Sequence, residues 1–150
     1  MKRIITSAVF ILIFCPIYSQ IFEDEKNLIP PDFGKNKTHV VFQMVSGDPA
    51  MNKAVKKAFE KYYTGSFEII SQKEDKGKNH DQPDTKYYWF KVIWEPNYYN
   101  TDKGYSFGLR EFNTFKVYQI SYYSYTYGKI LPAYVKKMEE VRKMNEENRD

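Results

Sequence analysis

The chain is poor in the residues that build reactive sites. It has one cysteine, Cys15, two histidines, His39 and His80, and seven glycines in 150 residues. Cys15 lies inside an apolar amino-terminal run. Once that leader is removed no thiol is left, which excludes thiol catalysis, cysteine zinc sites, redox relays and disulfide staples from the rest of the chain. The glycines fall singly, at positions 34, 47, 65, 77, 104, 108 and 128, where turns, element ends or a bulge are expected. Neither GxGxxG nor GxxxxGK(S/T) is present, so no loop is built to cradle phosphate. Strong charge of one sign is lacking too. The formal charge of +4 drops to +2 when Lys2 and Arg3 leave with the leader, too weak a field to imply nucleic acid.

What is present begins with the leader itself. Lys2 and Arg3 precede the apolar stretch from Ile4 to Phe14, Pro16 breaks it, and Ser19 supplies a small residue, the layout of a secretory signal peptide cleaved after Ser19 or Gln20. The run is too short to span a bilayer core of about 30 Å. Acylation at Cys15 would make a lipoprotein, but Phe14 stands where a small residue normally precedes the cysteine. The expectation is an exported protein, periplasmic or secreted, with no transmembrane span after cleavage. Residues 1–20 are the signal peptide, 21–37 a linker or amino-terminal arm, and 38–147 a single domain.

That domain reads as α+β. His39 to Val45 is an almost continuous apolar run, which suits a central strand. Asp48 then caps a helix whose first position suits Pro49, and Met51, Ala54, Val55, Ala58, Phe59 and Tyr62 recur on one helical face. Gly65 is expected as the helix's carboxyl cap, and Phe67 to Ile70 as a second strand parallel to the first. A polar loop over 72–85 leads to a strand from Lys86 to Glu95, with Tyr88, Phe90, Val92 and Trp94 on one face and Tyr87, Trp89, Lys91 and Ile93 on the other. Strands near 105–110 and 115–122 follow. A final helix over 129–145 turns Leu131, Tyr134, Val135, Met138 and Val141 inward and sets charged pairs such as Glu139 with Lys143 outward. The expected architecture is a two-layer sandwich, a mixed sheet of about five strands in β-α-β-β-β-β-α order with both helices mainly on one face.

Candidate chemistry is sparse. His39 opens an apolar strand and reads as a structural residue. His80, with Asp75, Asp81 and Asp84, sits in a charged loop whose spacing matches neither an EF-hand nor HExxH. Neither histidine is placed for a Ser-His-Asp set, and Glu68, Glu95 and Glu111 read as surface-facing strand residues rather than a facing pair. No cofactor or metal is implied, and no catalytic residue is assigned. The four lysines Lys53, Lys56, Lys57 and Lys61 form a basic stripe on the first helix, as a solvated face does.

The aromatics are the informative excess: 14 Tyr, 11 Phe and 2 Trp, of which the leader removes only Phe10, Phe14 and Tyr18. Tyr87 and Trp89 on the third strand, and Tyr118, Tyr122, Tyr123 and Tyr125 before the last helix, are the candidate ligand-binding residues, since exposed rings stack on sugars or anchor protein partners. The competing reading makes them core.

The run Val40-Val41-Phe42, an amphipathic helix and then Gly65-Ser66-Phe67-Glu68-Ile69-Ile70 resembles the strand-helix-strand unit of exported bacterial envelope domains of the TolB amino-terminal type. The resemblance covers about 35 residues and is architectural, includes no catalytic motif, and the propeller that follows in TolB is lacking in this chain. It implies a non-enzymatic envelope protein that works through protein contacts. The leading expectation is therefore an exported, non-catalytic binding or assembly module of the cell envelope, with a protein or glycan partner. The alternatives are a small periplasmic hydrolase or lyase using an acidic residue with Tyr, and a self-associating envelope protein of undetermined oligomeric state.

Overall fold

The computed structural model describes residues 28–71, 73–74, 84–96, 103–122 and 127–148; the signal peptide and His80 lie outside them. In chain order the elements are β1 (Lys37–Gln43), α1 (Pro49–Tyr62), β2 (Ser66–Ile70), β3 (Thr85–Pro96), β4 (Lys103–Glu111), β5 (Val117–Tyr122) and α2 (Tyr127–Glu147). The strands form one mixed sheet in the order β2-β1-β3-β4-β5. β1 is parallel to both β2 and β3, while β4 and β5 are added antiparallel. This is the α+β architecture expected from the order of periodic segments.

The period of two decides what each strand buries. Val40 and Phe42 of β1, Tyr88 and Phe90 of β3, Phe107 and Leu109 of β4 and Tyr118 of β5 join one core cluster. The same cluster contains Met51, Val55, Ala58 and Phe59 of α1 and Ile130, Leu131, Tyr134, Val135 and Met138 of α2. Both helices therefore cover the same face of the sheet. Phe90 sits at the centre, edge-on to Phe42 and Phe59 and tilted against Tyr134, with ring centroids 5.0 to 6.0 Å apart. Such geometry adds roughly 0.5–1.5 kcal/mol per pair to the area term. α1 starts where its sequence says: Asp48 Oδ1 accepts from Met51 N at 2.9 Å, with Pro49 beginning the helix.

Of the two readings of the stretch before β1, linker or arm laid on the domain, residues 28–36 take the second: Leu28, Ile29 and Phe33 are buried in the core. Polar side chains of α2 fasten it. Tyr134 Oη donates to Leu28 O at 2.8 Å, and Asn145 Nδ2 donates to Pro31 O at 3.0 Å and Phe33 O at 2.9 Å. Gly34 makes the close approach, since its φ is +93° and a Cβ there would lie 2.7 Å from the Arg142 carbonyl oxygen. Gly65 is not the cap of α1; Tyr63 is, in extended conformation with φ −113°. Gly65 is small for another reason, because a Cβ would meet the Tyr63 ring at 2.7 Å and Arg142 Cδ at 2.8 Å. Glu139 pairs with Lys143 at 3.5 Å as its spacing suggests, but it does not point outward. It is buried and held by Arg142 through two bonds, Nε to Oε2 at 2.8 Å and Nη2 to Oε1 at 2.9 Å, with the Thr64 hydroxyl also donating to it. Burial opposes its ionisation, yet the bonds from Arg142 and Thr64 outweigh that and bring its pKa down to about 2.

Candidate functional site

The sheet has a second face, and among the described residues no helix packs on it. Strand alternation sends His39, Val41 and Gln43 there from β1, Ser66, Glu68 and Ile70 from β2, Tyr87, Trp89, Lys91 and Ile93 from β3, Ser106, Gly108 and Arg110 from β4, and Val117 from β5. The registers set these residues in rows. One row crosses all five strands as Glu68, Val41, Trp89, Arg110 and Val117. The next begins Ser66, His39, Tyr87.

The face is uneven. Val41 is only 2% exposed, whereas on the β3–β5 side Ile93 is 45% and Val117 51% exposed. Tyr87 and Trp89 are half-buried between these extremes. Their rings meet other groups: Trp89 stacks on Phe112 with centroids 5.9 Å apart, and Lys91 Nζ stands 4.5 Å from the Trp89 centroid. Tyr87 is tilted against His39 at 5.4 Å. Beyond Trp89 in its row, the Arg110 guanidinium carbon lies 4.8 Å over the ring of Phe115.

Phe115 is the most exposed large apolar side chain among the described residues, at 64%, and its φ is 58°. A bulky residue in the left-handed region costs on the order of 1–3 kcal/mol and persists only where its surroundings over-determine it. The turn does so here. Glu111 N donates to Lys116 O at 2.9 Å and Phe115 N to Glu111 O at 3.0 Å, and Thr114 Oγ1 ties to Glu111 Oε2 at 2.7 Å.

Of the candidates expected from sequence, Tyr87 and Trp89 share this face. Tyr118 does not. It is 5% exposed under the helices, and its carbonyl oxygen is 3.2 Å from Tyr134 Oη. Tyr122 ends β5 opposite Tyr105, and Tyr123 and Tyr125 lie outside the described residues. The residues that complete the surface, Arg110, Phe112, Phe115 and Val117, were not singled out in the sequence. Arg110 and Val117 carry a parity signal once β4 and β5 are in register; Phe112 and Phe115 sit in a turn, where no period exists.

A scan against protein-family models gives no match, and searches among curated proteins and among solved structures give none either. The geometry thus carries the functional reading by itself.

Two other clusters invite comparison. His39 Nδ1 lies 2.6 Å from Ser66 Oγ, and Nε2 lies 3.6 Å from Glu68 Oε1. The second distance exceeds a hydrogen bond, so Glu68 does not fix the imidazole as a triad acid must. The arrangement is a cross-strand tie, in keeping with a structural His39.

A polar cleft of about 520 Å³ between Lys35, Lys37, Thr85, Tyr87 and Glu111 borders Lys86. Lys86 Nζ pairs with Asp32 Oδ2 at 2.6 Å and Glu111 Oε1 at 2.7 Å. Burial disfavours the charges, but these pairs prevail: both carboxyls titrate below their ordinary range and Lys86 above its own. A general acid needs the opposite shift, a carboxyl raised toward neutrality. Tyr88, beside them, has its hydroxyl buried and its pKa raised chiefly by burial, which keeps the phenol protonated. Among the described residues no group of three or more His, Cys, Asp or Glu side chains is placed to hold a metal ion, and no helix is long and apolar enough to cross a membrane.

Proposed function

We propose that this protein is a non-catalytic binding or assembly module of the bacterial cell envelope, exported by its leader, and that it holds a protein or glycan partner on the helix-free face of its sheet. One observation carries this reading. Rings, aliphatic side chains and cations are gathered on a single surface that no described helix covers, running from Tyr87 and Trp89 to Arg110, Phe115 and Val117, while the large core rings are sealed under the helices. Exposed apolar side chains grouped on one surface mark contact sites, and aromatic residues with arginine dominate the energetics of such sites. The acid-with-tyrosine alternative is disfavoured by the paired, pKa-lowered carboxylates beside Tyr88. Export rests on the leader, and the TolB-like strand-helix-strand start agrees with an envelope role without identifying the partner.

The test is cosedimentation of the purified protein with peptidoglycan sacculi and with envelope membranes. Retention on one of them, reduced at least about tenfold by Trp89→Ala combined with Phe115→Ala, supports the reading. Release of soluble fragments from sacculi, lost on substitution of Glu111, would replace the binding module by a hydrolase.

A further inference from the structure

α1 and α2 pack side by side and leave a groove between them, and the charges along it specify what it touches. We propose that this groove docks on an anionic phospholipid membrane, with a lipid phosphate among Lys57, Lys61 and Lys136 and the upper part of the lipid chain on the groove floor. The contact belongs to the helical layer, opposite the helix-free face of the sheet, and goes beyond the reading of that face.

The cations converge where a helix would be better served by alternating charge. Lys53, Lys57 and Lys61 recur every four residues and share one ridge of α1. Like charges at this spacing weaken a helix. On the neighbouring ridge Lys56 pairs with Glu60 at 3.7 Å, whereas among the described residues no carboxylate pairs with Lys53, Lys57 or Lys61. α2 brings one more cation to the same place. Lys136 Nζ lies 4.8 Å from the Tyr62 ring centroid, and Lys61 Nζ lies 5.0 Å from it. Tyr62 registers the cluster: its hydroxyl titrates below the ordinary phenol range, chiefly through a hydrogen bond from Lys61 and further through the charges of Lys61, Lys136 and Lys57. Lys57, Lys61 and Lys136 are all exposed, so the cations are open to a ligand. An anion placed among them relieves their repulsion.

The floor selects among anions. The groove holds about 330 Å³, with Lys57, Lys61 and Tyr62 at its lip, Ala54, Leu131 and Pro132 beneath, and no carboxylate among the described residues that line it. A free inorganic anion gains nothing from the apolar floor. A phospholipid offers phosphate and hydrocarbon together. Lysine stems lie along apolar surface while their ammonium groups reach the headgroups, and tyrosine favours the same depth. Basic clusters beside an apolar surface hold anionic leaflets in this way, each lysine adding to the affinity.

The test is cosedimentation of the purified protein, freed of its leader, with vesicles of phosphatidylcholine alone and of phosphatidylcholine containing about 30% phosphatidylglycerol. Binding is expected to the second and not to the first. Lys57→Gln combined with Lys61→Gln should weaken it at least about tenfold. Lys56→Gln combined with Lys137→Gln removes the same charge from lysines already paired with Glu60 and Glu140, and should weaken it less than about twofold. Gly128→Glu sets a carboxylate at the groove, where an added Cβ meets nothing within 4 Å and the first turn of α2 favours an acid, so binding should fall with the fold intact. Unfolding temperatures at or above the parent's, as relief of the like-charged ridge predicts, separate lost binding from lost structure. Equal losses from the two lysine pairs, undiminished binding by Gly128→Glu, or equal binding to both vesicles overturns the proposal. No binding to vesicles, with retention on a soluble polyanion such as heparin, replaces the membrane by a polymer. Trp89→Ala should leave vesicle binding unchanged; a loss as large as that of Lys57→Gln with Lys61→Gln would move the lipid to the sheet face and overturn the proposal too. Sacculi carry no phospholipid, so retention on them reports the sheet face separately.

Discussion

Phe90 and Trp89 are neighbours in the chain and opposites in the molecule. Phe90 meets Phe42, Phe59 and Tyr134, ring against ring, with α1 and α2 closed over it. Trp89 stacks on Phe112 with Lys91 over its ring, on the face away from α1 and α2. One residue of shift along β3 separates the two surroundings, since successive side chains point to opposite faces. The abundance of aromatics therefore has two causes. On the covered face large rings fill the space between sheet and helices; on the open face they are spread among Lys91, Arg110 and His39, where they remain half-exposed.

The comparison can be broken hardest on the covered side. Phe90→Ala removes a ring packed on three others and should cost about 3–5 kcal/mol in urea unfolding. A loss below about 1 kcal/mol would mean that the core is not centred there. Gly34→Ala should cost about 2 kcal/mol or more, because both its φ and the Arg142 backbone 2.7–2.8 Å away oppose a methyl group. Its unfolding midpoint checks whether the arm belongs to the covered layer.

Glu139 sharpens the same point through pH. Its folded pKa of about 2 lies below the ordinary 4.5, so its contribution is complete above 4.5 and fades as pH falls toward 2. Stability should drop by roughly 2–3 kcal/mol across that window beyond what other carboxylates cause. Glu139→Gln should flatten this segment of the stability curve. An unchanged acid slope would place the transition elsewhere, with the Lys86 cluster next in line. Asp48→Ala should have the smallest of these effects, about 1 kcal/mol, through loss of its bond to Met51 N. Helix content by circular dichroism would show whether α1 frays.

The division of β3 into two faces was legible in the sequence because an extended strand sets Tyr88, Phe90 and Val92 opposite Tyr87, Trp89, Lys91 and Ile93, with Lys91 the one charge among them. α1 was legible for the same kind of reason, a local period with Asp48 and Pro49 at its start. Residues 28–36 were legible only as a linker or arm, since Leu28, Ile29 and Phe33 follow no period and are buried by distant partners, Phe33 against Tyr63 and Tyr88 and through the bond from Asn145 of α2 to its carbonyl oxygen. The pair of Glu139 with Lys143 was legible from its spacing and forms at 3.5 Å, but the burial of Glu139 was not, because Arg142 and Thr64 come together there only in the fold. At the candidate site Tyr87 and Trp89 were legible from parity. Tyr118 required the pairing of β4 with β5, where it stands opposite the buried Leu109 and so joins the core face. Phe115 required the turn.

Trp89→Ala, measured for envelope retention and thermal unfolding in parallel, tests the central claim most directly. If the helix-free face is the contact surface, the variant unfolds within a few degrees of the parent and loses at least about tenfold in retention. Full retention by a variant that is equally stable would contradict it.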